Sequence, residues 1–141
     1  MSDDIKKKID VVFIAGGKFH DIDFARLEIL KLLAEDDRMK TRVFEDYSNL
    51  HAIENADFLI TYTCDVRPTL EQQKALKKYV ASGKRWLALH GTNSILQFMS
   101  DGKVDSPRIA PIMMETLGSQ FIAHPPILSL IHISEPTRRT P

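Results

Sequence analysis

The chain has 141 residues, 19 basic and 19 acidic side chains, a formal charge of zero and 43% hydrophobic residues. That length suits one domain, and neutrality argues against electrostatic capture of nucleic acid or of an anionic membrane surface. A single cysteine, Cys64, excludes an internal disulfide framework.

No apolar run approaches the roughly 20 residues that a membrane span requires. The acidic start Met1-Ser2-Asp3-Asp4 lacks the basic and apolar regions of a signal peptide. A soluble cytoplasmic protein is the economical reading. Lys6-Lys7-Lys8, just before the first apolar run, is a solvated charge run rather than a phosphate site.

Ile9 to Ala15 is a β-branched run that predicts a buried first strand, with Gly16-Gly17 as its exit turn. Asp23 to Ala34 follows as an amphipathic helix carrying Phe24, Leu27, Ile29, Leu30, Leu32 and Leu33. Thr41 to Glu45 and Asp57 to Thr63 predict the second and third strands. Pro68 and Thr69 open a charged helix, Leu70 to Ala81, with Leu76, Tyr79 and Val80 on its inner face and Ser82-Gly83 as its stop. The apolar run Trp86 to Leu89 ends at His90-Gly91, a buried parallel strand followed by a sharp turn.

Beyond it, Ser100 to Pro111 is polar and loop-like, and Ile112 to Leu117 is the last part of a short helix closed by Gly118. Gln120 to Ala123 suggests one more strand, leading into His124-Pro125-Pro126. Regular strand–helix alternation implies an α/β fold, a doubly wound parallel sheet with right-handed crossovers. There are no internal repeats. After Ile127 the pattern stops, and Leu128 to Pro141 resembles the translated read-through tails at broken ends of assembled environmental sequences. The domain is thus expected over 1–127, with 128–141 a non-native or disordered tail.

Four motifs stand in order: Gly16-Gly17-Lys18-Phe19-His20-Asp21, Tyr62-Thr63-Cys64-Asp65, Leu87-Ala88-Leu89-His90-Gly91 and Phe121-Ile122-Ala123-His124-Pro125-Pro126. Together they resemble the ThuA-like (trehalose utilisation) family over about residues 9 to 127. The resemblance implies a class I glutamine amidotransferase-like, flavodoxin-like fold with helices on both faces of the sheet. It also implies that the chain is an amino-terminal portion of a longer protein acting in the metabolism of trehalose and related oxidised disaccharides. The class I amidotransferases carry a nucleophilic cysteine at the elbow where His90 stands here. Imidazole cannot form the thioester, so glutaminase chemistry is not implied.

Ligands of open α/β sheets bind outside the carboxyl ends of the strands. His20, His90 and His124 each follow a predicted strand, so all three fall on that edge. Three imidazoles with an open fourth position would make a catalytic zinc site. The same residues, without a divalent metal, can move protons on and off sugar hydroxyls or ketones. Asp21, Asp23 and Asp65 can orient an imidazole or accept a bond from a sugar hydroxyl; for Asp21 and Asp23 a helix N-cap is the commoner role. His124 fits ordinary loop sequence equally well, and His90 also fits a satisfied core histidine. His51, in the polar segment around Asn49 to Asn55, belongs to the surface.

Gly16-Gly17 matches neither a dinucleotide fingerprint nor a Walker pattern, and fits a tight turn with close approach of a ligand. Arg67 either presents its guanidinium to substrate or pairs with Asp65. Gly91 and Asn93 lie at the elbow, and Asn93 with Ser94 suits a helix start whose N–H groups stabilise an anion. Cys64 fits a buried structural thiol.

The resemblance, together with this placement on one sheet edge, implies a sugar-processing enzyme of hydrolase or isomerase type, with His90, His20, His124 and Asp65 as its catalytic residues and a small sugar as its partner. The competing reading is a non-catalytic carbohydrate-binding or scaffolding domain of the same fold. A third is a portion inactive by itself, exposing a sheet edge and part of its core.

Overall fold

A computed structural model of the chain describes residues 7–123; His124 and the segment 128–141 lie outside the described residues. The element order is β1 (Ile9–Gly17), α1 (Ile22–Ala34), β2 (Met39–Phe44), α2 (Leu50–Asn55), β3 (Phe58–Cys64), α3 (Leu70–Ala81), β4 (Arg85–Ala88), β5 (Gln97–Phe98), β6 (Val104–Asp105) and α4 (Pro111–Leu117). Strands β1 to β4 form one sheet in the order β2-β1-β3-β4, with every pair parallel. This is the flavodoxin-like α/β arrangement. The strand order reverses between β1 and β3, which fixes where a ligand crevice forms.

Central strand β1 explains the two layers. Its residues alternate between faces, so Val12 and Ile14 join Leu59, Ile53, Leu76 and Met113 beneath α2, α3 and α4. Val11, Phe13 and Ala15 face the other way, with Ile60, against Ile29, Leu30 and Leu33 of α1. Burying each large aliphatic or aromatic chain of this kind contributes about 1.5–3 kcal/mol. Phe24, Leu27 and Leu32 are exposed, so only part of the apolar pattern of α1 is its packing face.

α3 begins with a capping box: the Thr69 hydroxyl accepts from Gln72 N–H, and the Gln72 side chain accepts from Thr69 N–H. Its buried residues are Gln73, Ala75, Leu76 and Tyr79, while Val80 is exposed. α2, in the segment expected to be polar surface, is a helix capped by Asn49 that buries Ala52 and Ile53.

Three expectations are corrected. The strand leading to His90 is parallel but not buried: β4 is the sheet edge, and Leu87 is 45% exposed. Its run of apolar residues reflects one packed face, where Trp86 meets the α2–α3 layer, and among the described residues no strand covers its outer side. No helix follows the elbow; the chain makes a turn and then the antiparallel β5–β6 hairpin. Residues 120–123 form no strand, and Phe121 N–H instead donates to the Asn93 carbonyl at 3.1 Å.

Candidate functional site

The carboxyl ends of β1, β3 and β4 are drawn together by close backbone packing. A Cβ on Gly17 (φ +104°) would lie 1.9 Å from the Cys64 carbonyl oxygen, and one on Gly16 would lie 2.0 Å from that of Glu45. Both glycines belong to β1 itself, paired with Thr63 and Cys64. The close approach they permit is to the backbone of β3 and of Glu45 just past β2, and both glycines also line, with His20 and Asp21, a depression of about 350 Å³. Gly91 (φ +89°) turns the chain against the Thr63 carbonyl in the same way.

A buried hydroxyl network holds the elbow. Trp86 Nε1–H donates to Thr61 Oγ1 at 2.9 Å, and the Thr61 and Thr92 hydroxyls are 3.0 Å apart. Thr92 Oγ1 also lies 3.2 Å from the Thr61 carbonyl, so Thr61 donating to Thr92, and Thr92 to that carbonyl, uses every proton.

The elbow brings His90 to His20. Their ring centroids are 5.0 Å apart, and the His20 ring also meets Tyr62 edge-on at 5.8 Å. His20 Nδ1 lies 3.2 Å from the Lys18 carbonyl. A carbonyl only accepts, so Nδ1 carries the proton in that bond and Nε2 of the neutral ring keeps its lone pair. Both imidazoles border a cleft of about 590 Å³ whose floor includes Cys64 and Ser94 and whose rim includes Phe19 and Phe98. That volume is in the range of small-molecule sites.

Asp65, expected among the catalytic residues, is a structural hub. It adopts φ +58° and its side chain is only 5% exposed. The carboxylate accepts from Leu96 N–H at 3.0 Å, Lys18 Nζ at 3.2 Å and Arg67 Nε at 3.2 Å. Burial pushes its carboxyl up, but these bonds and the Arg67 charge outweigh burial and hold it below the ordinary carboxylate range. It therefore stays ionised and orients loops rather than an imidazole.

Arg67 is engaged the same way, pairing with Asp65 and donating through Nη2 to the Leu96 carbonyl at 2.7 Å. Asp21 caps α1 by accepting from Phe24 N–H at 3.0 Å. Asn93 donates to Ser119 Oγ at 3.0 Å; it shares with His90 a second, polar depression of about 280 Å³. Asp23 pairs with Arg26, and His51 is exposed on α2.

Cys64 is buried, and burial followed by the neighbouring Asp65 charge raises its thiol above the ordinary range. Such a thiol is a poor nucleophile. Among the described residues no three His, Cys, Asp or Glu side chains gather to hold a metal ion, and His20 with His90 supplies two donors only. Residues not singled out from sequence also build the site: Phe19 and Phe98 at the rim, Lys18 on Asp65, and Tyr62 under His20. For Phe19 the available signal was an aromatic residue between Lys18 and His20 in the first of the four motifs; Phe98, flanked by Leu96, Gln97 and Met99, carried no such signal.

Among the described residues no helix is long and apolar enough to cross a membrane. No family model, curated protein or solved structure matches the chain.

Proposed function

We propose that the chain is a ThuA-like domain that processes a trehalose-type or keto-sugar substrate, in the cytoplasm, by proton transfer between His20 and His90. The observation that carries this reading is the 5.0 Å approach of the two rings at the carboxyl edge of a parallel sheet, beside its topological switch point. Each of the four motifs behind the family resemblance contributes to the cleft: Phe19 and His20, Cys64, His90, and Phe121 with Ala123. No carboxylate lines it among the described residues, so acid–base work there falls to imidazole.

In this mechanism His20, with its Nδ1 proton held by the Lys18 carbonyl, takes at Nε2 a proton from the hydroxyl-bearing carbon beside the ketone while His90, in its protonated form, gives its proton to the ketone oxygen, making an enediol. The adjacent hydroxyl then returns a proton to His90 and the former carbonyl carbon takes the proton from His20, which moves the carbonyl and restores both imidazoles. Paired general acid–base catalysis of this kind contributes about 10²–10⁴-fold per group. A zinc-dependent version would draw on His20, His90 and His124, the last outside the described residues; binding of about one divalent ion per chain would support it.

The test is turnover of trehalose and its keto derivatives by the wild type and by His90→Ala. The variant should lose activity by at least about 10²-fold with an unchanged circular-dichroism spectrum; undiminished turnover refutes the assignment. The lack of a free carboxylate in the cleft also favours a second reading, a carbohydrate-binding domain without catalysis. Binding across a disaccharide panel with no turnover by the wild type would select it.

A further inference from the structure

Phe19 and Phe98 pose a physical problem. Phe19 sits at φ +64°, a region that a bulky side chain enters only at a cost and that Gly or Asn would occupy more easily. The strain gains the core nothing, since the Phe19 ring is 59% exposed. At the rim it packs on Phe98, also 59% exposed, with ring centroids 5.3 Å apart and planes at 57°. Phe98 comes from the short β5–β6 hairpin, far away in sequence, and is likewise absent from both core clusters.

Two half-exposed phenyl rings thus form an open V at the mouth of the cleft that contains His20 and His90. Backbone strain that survives without a packing benefit marks a functional position. Exposed aromatic faces beside polar groups are built for a ligand with one apolar and one hydrogen-bonding side. A pyranose ring has that form: its axial C–H groups make an apolar face, and its hydroxyls point outward around the edge.

We infer that Phe19 and Phe98 form a stacking lip that holds one pyranose ring of the substrate, so that its hydroxyl edge meets His20 and His90. The inference rests on the sugar reading above and adds two binding residues to it. The lip acts in binding and the imidazoles in turnover, so its removal raises KM.

The experiment is titration of trehalose into wild type, Phe98→Ala, Phe98→Leu and Phe19→Asn, followed by calorimetry and by saturation-transfer NMR, with thermal melts of each. Phe98→Ala should weaken binding about tenfold and Phe98→Leu by less, since leucine keeps the apolar wall but not the flat face. In the wild type, saturation should reach the C–H protons of one ring face. Phe19→Asn should weaken binding while its Tm stays level or rises, because asparagine tolerates positive φ. A structural role for Phe19 would instead lower Tm. Trehalose binding unchanged in both Phe98→Ala and Phe19→Asn overturns the lip alone. A wild type that binds no trehalose overturns the sugar reading and the lip together.

Discussion

The Asp65 carboxylate receives Lys18 Nζ at 3.2 Å, tying the exit of β3 to the exit of β1. Asp65→Asn removes the charge while keeping an acceptor for Leu96 N–H and a residue type that tolerates positive φ. Lys18 and Arg67 are themselves well exposed, so the loss should be modest, about 1–2 kcal/mol. The sign of the pH dependence follows from the lowered folded-state pKa. The stabilisation is fully present above the unfolded value of about 3.9 and disappears as pH falls through the lower folded value. Melts of wild type and variant should therefore differ by a constant amount above about pH 5, begin to approach each other near about pH 4, and meet only once pH has fallen below the folded value.

Gly17 and Gly83 both have positive φ, but only Gly17 is crowded. A Cβ there meets the Cys64 carbonyl at 1.9 Å, whereas one on Gly83 meets nothing within 4 Å. Gly83→Ala should cost about 1–2 kcal/mol, the conformational term alone. Gly17→Ala must also push β1 from β3, and should cost on the order of 3 kcal/mol or more. Denaturant midpoints of the two variants would test the ranking.

Gln73 is buried and bridges two elements. Its Oε1 accepts from Ile112 N–H at 3.1 Å and Met113 N–H at 3.4 Å, and its Nε2 donates to the Pro68 carbonyl. Ala110, the N-cap of α4, offers no side-chain bond, so Gln73 caps that helix from α3. Gln73→Ala should cost about 1–3 kcal/mol. Amide exchange should accelerate first at Ile112 and Met113.

A thiol raised by burial should react slowly. Iodoacetamide at about pH 7.5 should label Cys64 in the folded protein at least about tenfold slower than in the unfolded chain. Cys64→Ser should retain turnover, because the proposed chemistry runs through imidazole.

What was legible in the sequence was whatever depends on local pattern. β1, β3 and α3 have runs long enough to show their period, and α3 appears with the bounds its turn residues predict. α2 escaped notice because it has six residues and only Ala52 and Ile53 bury, too few for a period to emerge. The exposure of β4 could not be read from Trp86 to Leu89, since burial of a strand depends on its neighbours as well as its residues. His20 and His90 were legible as sheet-edge residues through topology alone. The roles of Asp65, Phe19 and Phe98 were not, because each is defined by partners distant in the chain: Lys18 and Leu96 for Asp65, and the two rings for each other.

The most direct test of the proposed histidine-pair chemistry is a double-mutant cycle on kcat/KM for the proposed keto-trehalose substrate, using His20→Ala, His90→Ala and the double variant. Residues that act as one unit give strongly non-additive losses. Each single variant should lose at least about 10²-fold, and the double variant should lose little more than the worse single. Full activity in either single variant, or losses that simply multiply, would contradict the account.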